Sequence, residues 1–403
     1  MTAPSTVGPN RGFSRGMVSA VVLFATCASP ERSAGGRWRG TVDTLASGTI
    51  VVHNPATGIW DSASAWRIDE ELRIGSAEGD DALAFNQIAD LEVDRVGRIY
   101  VVESQTQEIR VFDSAGRFLR TIGRKGRGPG EFQQAIGMEW DPAGRLWVVD
   151  QGNVRYTLLD SAARVLGTRT RPLSGWFTWR WQGGLDSTGL VYEWYRKPDP
   201  TGGDVLLRYD TAFKAADTFP LPAYEGEVFK IEESGRRIWA SVPFTPALSW
   251  IFDPRGYVWF GITAPYRIYQ RRLEGDTVRV IERAYEPLPV TSEDRDSVIA
   301  RLDWFTKQGG KVDASRIPRV KPAFDSFFLD DRGYLWVDPV TPKEDEGRVF
   351  DVFDPDGRYL GRARANVRLA GQPVFRGDYL HATTEDESGI PYVIRARIIR
   401  PSK

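Results

Sequence analysis

The chain has 403 residues, with 53 basic and 54 acidic side chains giving a net charge of -1, so no global positive field exists to capture nucleic acid. One cysteine and two histidines leave no disulfide framework and no Cys/His zinc cluster, and they exclude most histidine-dependent catalysis. With 41% hydrophobic residues, including 14 Trp, 14 Tyr and 20 Phe, the chain can bury a large core.

The N-terminus reads as an export signal. Arg11 and Arg15 precede a short apolar run at 17–28, too short to cross a bilayer core of about 30 Å but suited to a signal peptide. Leu23-Phe24-Ala25-Thr26-Cys27 places the only cysteine at the end of that run, where a lipoprotein signal carries its lipidated residue. Cys27 is therefore the expected lipid anchor, with conventional cleavage as the alternative, and residues 1–36 are expected to be export segment and linker. Gly12-Phe13-Ser14-Arg15-Gly16 matches a nucleophile-elbow pattern, but it falls inside the export signal rather than on a strand-turn-helix and carries no chemistry. Residues 37–64 read as an extension with one strand, at 48–54. A further strand is expected at 65–74.

From residue 88 onward one pattern recurs: an apolar strand ending in Asp, a tight turn ending in Gly, then a β-branched and aromatic strand. Its copies begin at Asp94, Asp141, Asp186, Asp253 and Asp330, and Arg376-Gly377-Asp378 is a degenerate sixth. Asp at the first position caps such a turn through its side chain, and Gly at the fourth accepts a backbone conformation other residues resist. Second turns follow at Asp113, Asp160 and Asp354, so each unit holds four strands. The turn glycines 97, 144, 189, 256, 333 and 377 lie 47, 45, 67, 77 and 44 residues apart. A base period near 45 with four short strands is the signature of propeller blades, and the two long gaps are insertions. The expected fold is all-β: a six-bladed β-propeller over 65–403, with strand 65–74 completing the last blade and closing the ring. Counting strand 48–54 as part of a blade gives seven blades as the alternative. Residues 109–132 resemble the blade junction of bacterial NHL-repeat-like, six-bladed propeller proteins, many of them exported or lipid-anchored and without assigned activity. The resemblance implies fold and export more than function.

The tight Asp/Gly turns share one face of such a ring, and the long segments share the other. These are the crossings 123–133, 171–178, 220–246 and 284–322, with the loops 195–204, 338–348 and 384–391. Long loops on a rigid scaffold concentrate binding function, so that face is the expected site. The crossing 123–130 is rich in Gly and cations, but it lacks phosphate-loop spacing and leads into a strand, so it reads first as a connector. The candidate binding residues are Arg124, Lys125, Arg127 and Glu131 there, with Trp176, Trp179, Arg180 and Arg196 at the entrance to the third blade. Aromatic rings beside guanidiniums can form a sugar or peptide platform. Residues 291–310 hold one helix, N-capped by Thr291, with Val298, Ile299, Leu302 and Phe305 on one face.

For metal chemistry, Asp90, Glu92, Glu139 and Asp325 lie on innermost strands and supply the oxygen ligands that calcium takes, as in six-bladed lactonases. Salt bridges explain the same residues. Asp354-Pro355-Asp356-Gly357 lacks the rest of a calcium loop, and His53 and His381 form no pair. The sequence thus points to an exported, non-catalytic propeller without a cofactor that binds a protein, peptide or glycan on its long-loop face. It touches no nucleic acid and meets membrane only through Cys27. A calcium-dependent lactonase- or esterase-like hydrolase is the alternative.

Overall fold

The computed structural model describes residues 36–77, 81–171, 181–196, 203–233, 236–342 and 348–401. Cys27, Trp176, Trp179 and Arg180 lie outside them, as does the whole export segment. Among the described residues no helix is long and apolar enough to cross a membrane.

The turn chemistry builds the ring. In the first turn, the Asp94 Oδ1 accepts backbone N–H groups from Val96 at 3.0 Å and Arg98 at 2.9 Å, while Oδ2 takes the Arg98 Nε at 2.6 Å. The aromatic residue six positions on then turns back to the same carboxylate. Trp147 donates to Asp141 at 3.0 Å, Trp259 to Asp253 at 3.0 Å, Trp336 to Asp330 at 3.2 Å and Tyr192 to Asp186 at 3.2 Å. Each Asp therefore caps its turn and also gives a buried ring its polar partner, which is why Asp and a Trp or Tyr recur at this spacing. Gly97 and Gly333, at φ +83° and +84°, hold the left-handed corner of these turns.

Three antiparallel sheets each form a plain four-stranded blade, starting from the inner strands Ile88–Val93, Ala135–Trp140 and Gly183–Leu185. The fourth and fifth blades start at Leu248–Asp253 and Phe324–Leu329. The sixth consists of Ala370–Arg376, Tyr379–Glu385 and Pro391–Ile399, completed by Arg67–Ile74 from the other end of the chain. That strand pairs antiparallel with Pro391–Ile399 from Ile74↔Val393 to Arg67↔Ile399, so the expected closure is present. The protein is a six-bladed β-propeller. The alternative of seven blades fails because Ile50–Asn54 adds in parallel to Thr277–Arg283, on the outer edge of the fourth blade. The extension holds two strands rather than one, since Thr41–Thr44 pairs with Ile50–Asn54.

The N-terminal segment is thus a belt across three blades. Beyond Asn54, whose side chain accepts from the Tyr359 N–H at 2.7 Å and donates to the Gly357 carbonyl at 2.9 Å, Trp60 N–H reaches the Leu360 carbonyl at 2.8 Å. Apolar clusters fill every gap between neighbouring blades, as with Tyr100, Val111, Met138 and Val148 between the first two, or Ile74, Val393, Leu91 and Val101 between the sixth and first. The two insertions pack on each other: hairpin residues Phe229, Ile231 and Ala240 bury against Val298, Leu302 and Phe305. Helix Ser292–Arg301 begins at Thr291 with a capping box to Asp294, as the sequence predicts, and a short second helix, Asp303–Thr306, follows it. The loop 384–391, expected to be long and open, is instead another tight Asp turn, with Asp386 accepting from Ser388 and Ile390 and pairing with Tyr392 at 3.2 Å.

Candidate binding site at the channel mouth

Two sequence-predicted cations of the long-loop face, Arg124 and Arg196, have carboxylate partners close by. Arg124 donates to Glu131 at 2.9 Å, and the other Glu131 oxygen accepts the Gly128 N–H at 2.7 Å. Arg155 ties the loop down through the carbonyls of Arg127, Gly128 and Glu131, while the backbone at Lys125 forms a parallel β-bridge with Phe132. The crossing is therefore braced as a connector, with Glu131 as its internal clasp. Arg196 holds Asp204 in a two-pronged pair at 2.7 and 3.0 Å and lies over the Trp194 ring at 5.8 Å.

The carboxylates of the inner strands divide into two groups. Glu92 and Glu139 each sit two residues before a turn Asp, whereas Asp325 sits five before Asp330, nearer the far end of its strand. Burial pushes the Asp325 carboxyl up, and Asp338 adds to this while Arg348 opposes it. Asp90 accepts the Met138 N–H at 2.8 Å, and Glu92 faces Arg376 of the sixth blade at 3.2 Å. Among the described residues no group of three or more Asp, Glu, His or Cys is placed to hold a metal ion. The four carboxylates therefore do not form one ligand set.

What the inner strands do form is a cavity. A space of about 680 Å³ opens where they meet the tight turns, lined among others by Glu92, Glu139, Trp140, Pro254 and Arg376. A second space of about 400 Å³ shares Glu92, Pro254 and Arg376 and adds Phe252, Phe328 and Phe375. The two are compartments of one mouth, parted by the Glu92–Arg376 pair. The Arg376 guanidinium is fixed further by the carbonyls of Val93 at 3.0 Å and Phe375 at 2.9 Å. Neighbouring turns are tied around the rim, Arg95 to the Pro142 carbonyl at 3.0 Å, Ser187 N–H to the Pro254 carbonyl at 3.1 Å and Arg332 to Asp378 at 2.9 Å.

Glu139 lines this mouth, and the third blade is shaped around it. The inner strand there is only Gly183–Leu185; a Cβ on Gly184 would stand 2.6 Å from Glu139 Oε2, and that oxygen accepts the Leu185 N–H at 2.9 Å. Burial pushes the Glu139 carboxyl well above the usual range, and the negative charges of Glu92 and Asp90 push it further, while the Leu185 N–H and Arg376 oppose them. Its side chain nevertheless keeps accessible surface, because that surface faces the cavity.

This mouth lies on the side of the tight turns, opposite the long loops that the sequence favours. Sequence reasoning named Glu92 and Glu139 as metal ligands but missed Arg376, Trp140 and Pro254. One signal was available: Arg376-Gly377-Asp378 is the repeat that departs from the Asp-x-x-Gly pattern, and the departure puts an arginine where the other blades carry no cation into the channel.

Residues 77–160 match a family of unknown function described as a 6-bladed beta-propeller. A search of the curated proteins finds no match. Among solved structures, the chain is similar to an exported protein of Bacteroides fragilis at 12% identity and a TM-score of 0.51, over 87% of this chain and 99% of that one. A protein from a family of unknown function in Bacteroides vulgatus is similar at 10% identity and a TM-score of 0.43, covering 84% and 100%. Virginiamycin B lyase from Staphylococcus aureus is similar at 10% identity and 0.44, covering 83% and 100%. At these identities the likeness establishes the fold alone.

Proposed function

We propose that the chain is an exported β-propeller that binds a protein, peptide or glycan, without catalysis of its own, at the mouth of its central channel. The observation that carries this reading is the cavity of about 680 Å³ built from the inner-strand ends and tight turns, with Glu139 in its lining. A concave site with a few convergent polar groups on a rigid ring is the usual form of a ligand pocket. Export is supported by the apolar segment at 17–28 and by the exported Bacteroides protein that shares the fold. Cys27 supplies the proposed lipid anchor. A second reading places binding on the long-loop face, favoured by Arg196, which is 72% exposed and stacked on Trp194.

One capture experiment separates the two faces, using the exported protein as bait in envelope extract. Filling the mouth with Pro254→Trp should abolish partner capture, while Arg124→Ala, Arg127→Ala and Arg196→Ala together should leave it unchanged. The reverse pattern moves the site to the long loops. Calcium should leave the melting temperature unchanged; a rise lost in Glu139→Gln, with ester or lactone turnover, replaces binding by the hydrolase reading.

A further inference from the structure

We infer that the channel mouth is built for an apolar amine: an ammonium or guanidinium carried beside a hydrophobic body, as a basic side chain stands beside an aromatic or aliphatic one in a peptide. This rests on the mouth being the binding site, and it follows from the unlike chemistry of the two compartments.

The smaller compartment is walled by Ile251, Phe252, Phe328, Leu329, Val374 and Phe375. Ile251, Phe252 and Leu329 remain half-buried, so they offer apolar surface to a guest rather than being consumed by the core. The larger compartment carries the polar demand. Its arginines are already engaged: Arg98 by Asp94 at 2.6 Å, Arg95 by the Pro142 carbonyl, and Arg376 by Glu92 and two backbone carbonyls. An anionic guest would find those guanidiniums occupied and would meet Glu92 and Asp90 behind them.

Glu139 offers the opposite. Among the described residues Leu185 N–H is its one hydrogen-bond donor, and its carboxyl faces the cavity. Gly184, at φ +135°, gives it room that any side chain would fill. Without a guest, burial and the nearby charges of Glu92 and Asp90, opposed by the Leu185 N–H and Arg376, push the carboxyl up. A guest cation at hydrogen-bond distance opposes that shift by favouring the charged carboxylate, and the pair becomes a charge-assisted bond in a desolvated site. The Glu92–Arg376 pair between the compartments then fixes the spacing between the guest's charged end and its apolar end.

The test uses the full chain and three probes of one shape: 2-phenylethylamine, its neutral counterpart 2-phenylethanol, and 3-phenylpropionate. Titration calorimetry at pH 7 should show the amine binding at least about ten-fold more tightly than either. Glu139→Gln, which keeps the acceptor for Leu185 N–H, should lose that ten-fold preference, with an unchanged circular dichroism melt. Phe252→Ala should weaken all three probes alike. Amine binding no tighter than the alcohol, or unaltered by Glu139→Gln, overturns the assignment. If the alcohol or the acid binds best and Pro254→Trp blocks it, the mouth remains the site and only the amine class falls; if Pro254→Trp blocks no probe, both readings fall.

Discussion

Single polar residues in this ring do work that depends on what surrounds them. Glu193, almost fully buried, takes the Arg171 Nε at 2.6 Å and the Tyr156 hydroxyl on the same oxygen, and so joins the second and third blades. Asp351 does the same between the fourth and fifth, accepting from Tyr266 at 2.9 Å, Tyr359 at 2.7 Å and Arg283 at 3.1 Å. His381 is the contrary case. It is 3% exposed on the second strand of the last blade, and burial, with Arg395 and Arg376 nearby, holds its imidazole down to about 4. The unfolded chain binds a proton near pH 6.5 while the folded one does not until about pH 4, so stability is complete above that window and falls as pH drops through it. The loss should reach about 3 kcal/mol. Urea midpoints at pH 7 and pH 4.5 check this: a His381→Gln variant should lose this component of the slope, and an unchanged slope would remove the histidine from the account.

At the scale of elements, the belt is the piece on which the others depend. Strand Arg67–Ile74 buries Ile68 and Ile74 and covers the open edge of Pro391–Ile399, while Gly58 lies so close to the fifth blade that an added Cβ would stand 2.4 Å from the Leu360 carbonyl. Deletion of residues 1–74 should therefore expose a strand edge and cause aggregation, whereas deletion of 1–35 should leave the melting temperature and the number of chains per assembly in solution unchanged. Static light scattering on the two truncations decides between this and equal behaviour, which would show that the belt does not close the ring. The helical insertion is more self-contained. Its core of Val298, Leu302 and Phe305 packs against the neighbouring insertion, and Asp294 combines the capping box with Lys321 at 2.8 Å.

For the molecule as a whole, the interfaces between blades set stability and the ties between turns set the shape of the mouth. The Arg332–Asp378 tie is 44% and 52% exposed on its two sides, so screening leaves it little net value, whereas Arg171–Glu193 is desolvated. Arg332→Ala should accordingly cost less than about 1 kcal/mol. Glu193→Gln, which strands a buried guanidinium, should cost about 3 to 5 kcal/mol. Chemical denaturation of both variants tests the division, and equal costs would contradict it.

The sequence by itself determined the blade repeat, the turn positions, the closing strand and the capped helix, while the choice of six blades over seven waited on where strand 48–54 pairs. Each of these rests on local chemistry, an Asp and a Gly at fixed spacing, alternating apolar residues, or a hydroxyl before an acidic turn, and local chemistry repeats visibly along a chain. Strand 48–54 was legible as a strand but not as the outer edge of the fourth blade, because its partner, Thr277–Arg283, lies more than two hundred residues away. The same distance hid the site. Glu92 and Glu139 could be read as inward-facing acids, but Arg376 meets Glu92 only when the sixth blade closes on the first. Likewise Glu139 has room to face the cavity only because the third blade brings Gly184 and the Leu185 N–H against it, and burial there pushes its carboxyl up. Desolvation and charge proximity depend on which strands become neighbours around the axis, and that only the closed ring decides.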